Sequence, residues 1–185
     1  VVDLEGSVWI HDQFRRELHG LGRLGSLVVT NLEAFLTMIS ASEGTDKYPD
    51  PYAVTYGGKF TITDFSDHPA ALGSWHGEPL DSLGPKYQGL VSTAAGRYQL
   101  IKPTWKGAQL VLRLPDFGPA SQDAAATLLI KERGALNLVN SGMISAAIRL
   151  CATEWASLPG NAGGQPQRET GELLAWYQNA GGALV

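Results

Sequence analysis

Residues Thr30 to Asp46 read TNLEAFLTMISASEGTD, and this stretch decides the fold. Thr30 followed by Glu33 is a capping box. The threonine hydroxyl takes a backbone donor of the first turn while the glutamate reaches back to the threonine N–H. Leu32, Phe35, Leu36 and Ile39 then recur at helical spacing and form an apolar stripe. Gly44 is a natural stop, because glycine enters the left-handed conformation freely. The reading is a helix from about Asn31 to Ser42 or Glu43, with a carboxylate as its last residue.

That placement makes Glu43 the first candidate for chemistry. A helix C-terminus is electrically negative and disfavours a carboxylate anion. Partial burial pushes the same way. Both effects raise a glutamate toward the range useful to a general acid. The ordinary alternative is a solvated glutamate in a helix's last turn.

Beyond Asp46 the chain loosens. Lys47 to Pro51 is loop by composition. Tyr52 to Tyr56 and Lys59 to Thr63 are β-prone runs flanking Gly57-Gly58, which predicts a hairpin. Asp64 to Leu90 is rich in proline, glycine and serine and reads mostly as loop. Pro103 suits the first turn of a helix through Trp105, Leu110 and Leu112. Pro119 opens another through Ala124, Leu128 and Ile130, stopping near Gly134. Ser141 opens a third, with Ile144, Ala147, Ile148 and Cys151 on one face. That helix breaks at Leu158-Pro159-Gly160. Glu169 to Asn179 reads as the last helix, closed by Gly181-Gly182. The sum is a mainly helical α+β domain with one small hairpin.

The N-terminal stretch, residues 1–30, has a different character. Ile10, Phe14, Leu18 and Leu21 recur at helical spacing, with Arg15, Arg16, His19 and Arg23 on the other side. It reads as an N-terminal extension packed on its own domain or as a linker from a preceding module; a basic amphipathic helix touching a membrane surface is the other reading. Asp3 and Glu5 stand where a signal peptide would be basic, so no such signal is read. The chain begins with Val1, which is expected of a processed protein or a piece of a longer one.

Composition narrows the function classes. The 185 residues are 44% hydrophobic and 17% charged, enough apolar material for one domain with a real core. A formal net charge of −4 argues against a general nucleic-acid binder. No apolar run reaches the length of a membrane span, so stable insertion is not expected. The lone Cys151 sits on an apolar helix face and reads as core. His11, His19, His68 and His76 lack zinc-ligand spacing, and no phosphate loop or nucleophile elbow is present.

Two further segments carry candidate residues. Thr63 to Pro69 offers Asp64, Asp67 and His68. An aspartate on a hairpin beside an acidic helix end is one way to build a two-carboxylate glycosidase. A polar loop with an Asx turn before proline is the other reading. Ser92 to Ile101 offers small residues for close approach, and Tyr98 and Gln99 as planar hydrogen-bonding groups. Such stretches are also often just packing turns.

Taken in order, FLTMISASEGTD (residues 35–46), FSDHP (65–69), STAAGRYQL (92–100), SQDAAATLLIKERGAL (121–136) and WASLPG (155–160) resemble the phage lambda lysozyme family. These are the lambda-type endolysins, lytic transglycosylases that act on peptidoglycan. The likeness runs from about Asn31 to Gly182 and assigns residues 31–185 to one lysozyme-like domain. Residues 1–30 and part of the loop from Ala71 to Gly89 lie outside it.

The resemblance implies a lysozyme-like α+β fold, with a cleft between a helical body and a small hairpin lobe. It implies Glu43 as the single catalytic glutamate. Tyr98 and Gln99 are expected to line the cleft, and Asp67 and Trp155 to be further substrate-binding residues. Asp46 is expected to be a local cap or turn. The implied reaction cleaves the β-1,4 bond between N-acetylmuramic acid and N-acetylglucosamine and leaves 1,6-anhydromuramic ends. No metal or organic cofactor is implied. The expected partner is the peptidoglycan glycan strand, met as a monomer, with no nucleic acid. A hydrolytic muramidase using Asp64 or Asp67 as second carboxylate is the nearest alternative, and a silent wall-binding virion module the next. The family further implies a lysis enzyme that accumulates in the host cytoplasm and acts on periplasmic wall, or else a virion-associated domain.

Overall fold

A computed structural model describes residues 29–162 and 166–185. The helix read from Thr30 to Glu43 is its first element, α1 (Asn31–Glu43), and its capping box is complete. Thr30 Oγ1 accepts from the Glu33 N–H at 3.2 Å, and the Thr30 N–H donates to Glu33 Oε2 at 2.7 Å. The helix buries more than the predicted stripe. Phe35, Met38 and Ile39 are fully buried, and so are the small polar residues Ser40 and Ser42. The cause is position: α1 runs through the middle of the helical body. A helix surrounded by protein must be compatible with burial on most sides. The serines meet that demand by local hydrogen bonds, Ser42 Oγ to the Ile39 carbonyl at 2.8 Å for example.

The body around α1 is built from α3 (Lys102–Leu112), α4 (Pro119–Glu132), α5 (Leu136–Asn140), α6 (Ile144–Cys151) and α7 (Thr170–Asn179); a short α2 (Pro69–Leu72) precedes them. Pro103 and Pro119 sit in the first turns of α3 and α4, where a missing N–H costs nothing. Trp105 of α3 is fully buried edge-on against Phe117, with ring centroids 4.7 Å apart. On α6, Ile144, Ala147, Ile148 and Cys151 are all buried, as their spacing predicts. The start of that helix is displaced, however. Ser141 closes α5, which the sequence reading did not foresee, and α6 begins three residues later.

The lobe corrects the predicted hairpin. Two antiparallel strands do exist, β1 (Glu78–Pro79) and β2 (Val91–Ser92), but they arise in and just after the stretch read as loop. The runs around Gly57-Gly58 instead form one isolated bridge, Val54 to Thr61, between 3-10 turns at Pro51–Ala53 and Tyr56–Gly58. Both glycines do take the left-handed conformation that a tight turn requires. The flanks do not extend into a ladder for two reasons. Asp50 caps the Tyr52 N–H ahead of Pro51 and winds that segment tightly. The Tyr56 N–H donates to the Ala94 carbonyl at 2.8 Å rather than across the hairpin. The lobe is thereby stitched to the 92–100 segment, where Thr55 bridges Ala95. The amphipathic helix proposed within residues 1–30 lies outside the described residues.

Candidate active site

Glu43 is the last residue of α1, and Gly44 caps the helix at φ 73°. The Gly44 N–H returns to the Ala41 carbonyl at 3.0 Å. A side chain at residue 44 would strain this turn. The chain therefore leaves the helix abruptly, and the glutamate stands half-buried at the break. Burial raises its carboxyl above the ordinary carboxylate range. Three groups oppose that rise without cancelling it: the Ser157 hydroxyl, the Ser157 N–H and the charge of Arg168.

Ser157 lies on the segment after α6. Its Oγ is 2.6 Å from Glu43 Oε1 and donates to it. Arg168 lies just before α7. Its Nε donates to the Ser42 carbonyl at 3.3 Å, and its N–H donates to the Ser157 carbonyl at 2.8 Å. Its guanidinium rests 5.4 Å over the Trp176 ring. The acid is thus gripped by a part of the chain more than a hundred residues away.

Two carbonyls of the GRYQL turn support both sides of this arrangement. Buried Thr45, two residues past Glu43, donates from Oγ1 to the Arg97 carbonyl at 2.7 Å and lies 2.9 Å from Ser40 Oγ. Buried Trp155, two residues before Ser157, donates from Nε1 to the Tyr98 carbonyl at 3.0 Å. Adjacent carbonyls therefore hold the helix end and the Ser157 segment in register.

Several of the expected cleft residues make structural contacts of their own. The Tyr98 side chain is fully buried, and its hydroxyl donates to Asp123 at 2.6 Å. The burial has a physical cause. Arg97 lies between the Tyr52 and Tyr98 rings, 5.2 and 5.4 Å from them, and hydrogen-bonds the Tyr52 hydroxyl and Thr37. This network joins the lobe to α1 and α4 and leaves Tyr98 inside it. Trp155 is likewise core, at 3% exposure. Gln99 is half-buried, and its amide donates to the Gly96 carbonyl at 3.0 Å. It sits at φ 49°, an uncommon conformation for a residue other than glycine, and it closes the turn that presents the two carbonyls.

Asp67 is also held. Its Oδ1 accepts from Trp105 Nε1 at 2.8 Å and from the His68 N–H at 2.7 Å, and its Oδ2 pairs with Lys106. Partial burial pushes its carboxyl up, but these donors prevail and hold it below the usual range. His68 is buried; Nδ1 accepts from the Ala70 N–H, which leaves Nε2 to donate to the Leu100 carbonyl at 3.0 Å. Asp64 is exposed and forms the Asx turn, accepting from the Ser66 N–H at 2.8 Å. Asp46 is exposed in the 3-10 turn after Gly44.

Sequence reasoning missed Ser157, Thr45 and Arg168. Ser157 and Thr45 lie inside the quoted WASLPG and SEGTD blocks, so the blocks were visible but not their pairing across the fold. Arg168 carried no local signal.

A half-buried acid at the end of a central helix, in a mainly helical chain with one small two-stranded sheet, points to a lysozyme-like glycan-cleaving enzyme. Comparison with known proteins agrees. Residues 33–184 match the Endolysin family. The endolysin of Escherichia phage lambda is 43% identical over 157 residues, covering 82% of this chain and 92% of the relative. The endolysin of Escherichia phage P2 is 42% identical over 160 residues, covering 82% and 93%. The structure of bacteriophage lambda lysozyme complexed with a chitohexasaccharide superposes with a TM-score of 0.72 at 40% identity, covering 87% of this chain and all of that one. A second structure of lysozyme from bacteriophage lambda gives 0.69 at the same identity and coverage. The chain belongs to the endolysin family, of the phage lambda lysozyme type. Among the described residues no helix is long and apolar enough to cross a membrane.

Proposed function

We propose that this endolysin is a peptidoglycan lytic transglycosylase with Glu43 as its one acid–base group. The observation that carries the reading is the half-buried Glu43 carboxyl, raised by burial and gripped by Ser157. Glu43 begins protonated and donates to the glycosidic oxygen between N-acetylmuramic acid and N-acetylglucosamine. The C1–O bond breaks and the leaving sugar departs as an alcohol. The 2-acetamido group of the muramyl residue stabilises the positive charge at C1, so no protein nucleophile is required. The C6 hydroxyl then attacks C1, and its proton passes to Glu43. A 1,6-anhydro ring forms, the acid is restored, and no water is consumed.

The state of the other carboxylates supports one acid rather than two. Asp67 is tied to Trp105, His68 and Lys106, and Asp64 is an exposed turn residue held in its ionised form by Ser66. The saccharide bound by lambda lysozyme supports a glycan strand as the partner. We read residues 1–30 as an extension to the catalytic domain, in keeping with a family match that starts at residue 33. The expected setting is the host cytoplasm before lysis, or a virion if the chain is part of a larger protein.

Mass spectrometry of digested sacculi tests the reading. Anhydromuramic ends support it, and reducing muramic ends identify a hydrolase instead. Glu43→Gln is expected to remain folded, to bind sacculi and to release no fragments. A variant that lyses walls at the wild-type rate removes Glu43 from the mechanism.

A further inference from the structure

The proposed reaction asks one carboxyl to lose a proton and then regain one. Burial favours the protonated form and so helps the first transfer, while making the ionised state between the two costly. Some group must moderate that cost. We infer that Arg168 is a positioning residue for Glu43, which braces the end of α1 against the Ser157 segment and supplies the positive charge facing the ionised acid. The inference rests on the acid–base reading of Glu43.

The geometry has three parts. Arg168 Nε reaches the carbonyl of Ser42, the residue next to the acid, at 3.3 Å. Its backbone N–H holds the carbonyl of Ser157, whose hydroxyl contacts Glu43. Its guanidinium lies on the Trp176 face, which fixes its direction and shields one side from water. Among the described residues this guanidinium is in no salt bridge, whereas Arg97, Lys59, Lys106 and Arg133 each are. No carboxylate among the described residues pairs directly with it.

Among the described residues, few other groups surround Glu43. Ser42 and Ser157 contribute hydroxyls. The 3-10 turn after Gly44 contributes Asp46 and Lys47, both exposed. Glu169, beside Arg168, is also exposed. Water screens charges in such positions strongly.

The test compares Arg168→Gln and Arg168→Lys with the parent protein, using isolated sacculi and the rate of soluble-fragment release against pH. At low substrate this rate falls as pH rises, because the free enzyme must carry its proton. Losing a positive neighbour lets Glu43 keep that proton to higher pH. Arg168→Gln is expected to move the descending limb upward by about half a pH unit or more. Arg168→Lys is expected to leave the limb near its original place, and Lys47→Gln to leave it unmoved. An unmoved limb in Arg168→Gln overturns the inference. Equal behaviour of the Lys and Gln variants also overturns it, because charge then has no part. If Arg168→Gln does not fold, the limb of Arg168→Lys decides: an upward move refutes a role for charge. Glu43→Gln keeps the two failures apart. An active Glu43→Gln sinks the acid–base reading, whereas an inactive one beside an unmoved Arg168→Gln limb sinks only this inference.

Discussion

Replacing Asp67 with alanine takes one acceptor away from three donors. Trp105 Nε1 and the His68 N–H share Oδ1, while Lys106 pairs with Oδ2. The lysine is 44% exposed and recovers hydration. Trp105 is fully buried, so its N–H is left without a partner. An orphaned buried donor costs about 1–3 kcal/mol, and loss of the His68 contact adds about 1 kcal/mol. Together these give a destabilisation of about 2–4 kcal/mol. For a chain of this size that lowers the melting temperature by roughly 5–15 °C. Asp67→Asn keeps an oxygen for Trp105 and should lose about half as much or less. The acid dependence has a definite sign. The folded carboxyl lies below its ordinary value of 3.8, so its contribution is present above that value and fades as pH falls below it. The gap between wild type and Asp67→Ala should therefore narrow in acid. The assay is thermal unfolding across pH, run beside sacculus lysis normalised to folded protein. Lysis per folded molecule is expected to stay within about threefold, in line with a group that supports the fold and lies outside the chemistry. A variant that melts like wild type yet no longer turns over would refute the reasoning and return Asp67 to the role of second carboxylate.

Tyr98→Phe removes a buried hydroxyl but leaves Asp123 with Tyr52 and Arg97. It should cost about 1 kcal/mol in denaturant unfolding and leave the KM for sacculi unchanged; a raised KM would put the tyrosine back in the cleft. Thr45→Val keeps the shape of the side chain but loses its bond to the Arg97 carbonyl. Lysis should fall more than stability does, the latter by about 1–3 kcal/mol, and Thr45→Ser should restore both. Failure of serine to rescue would show that the hydroxyl is not what matters.

The helices were legible because their signals are local. Thr30 and Glu33 cap each other within one turn, and Pro119 marks a first turn wherever the helix later packs. The placement of Glu43 at a helix end followed from the same short stretch. The lobe was harder to read. Tyr52 to Thr63 has hairpin composition, yet the Tyr56 N–H belongs to Ala94, a partner no local pattern announces. Strands of two residues, such as Glu78–Pro79, are too short to show alternation. In the site, the residue types in GRYQL suggested side chains offered to a ligand. What the turn offers Thr45 and Trp155 is backbone, and sequence identifies side chains only.

That last feature bears on how the enzyme tolerates mutation. Peptide oxygens at 97 and 98 survive any substitution, so replacing either side chain leaves the two anchor points chemically unchanged. Vulnerability moves to whatever sets the direction of the chain there, and Gln99, with its unusual φ of 49°, occupies that position. A random library selected for retained lysis should accordingly be depleted more at the bend than at the residues whose oxygens it aims.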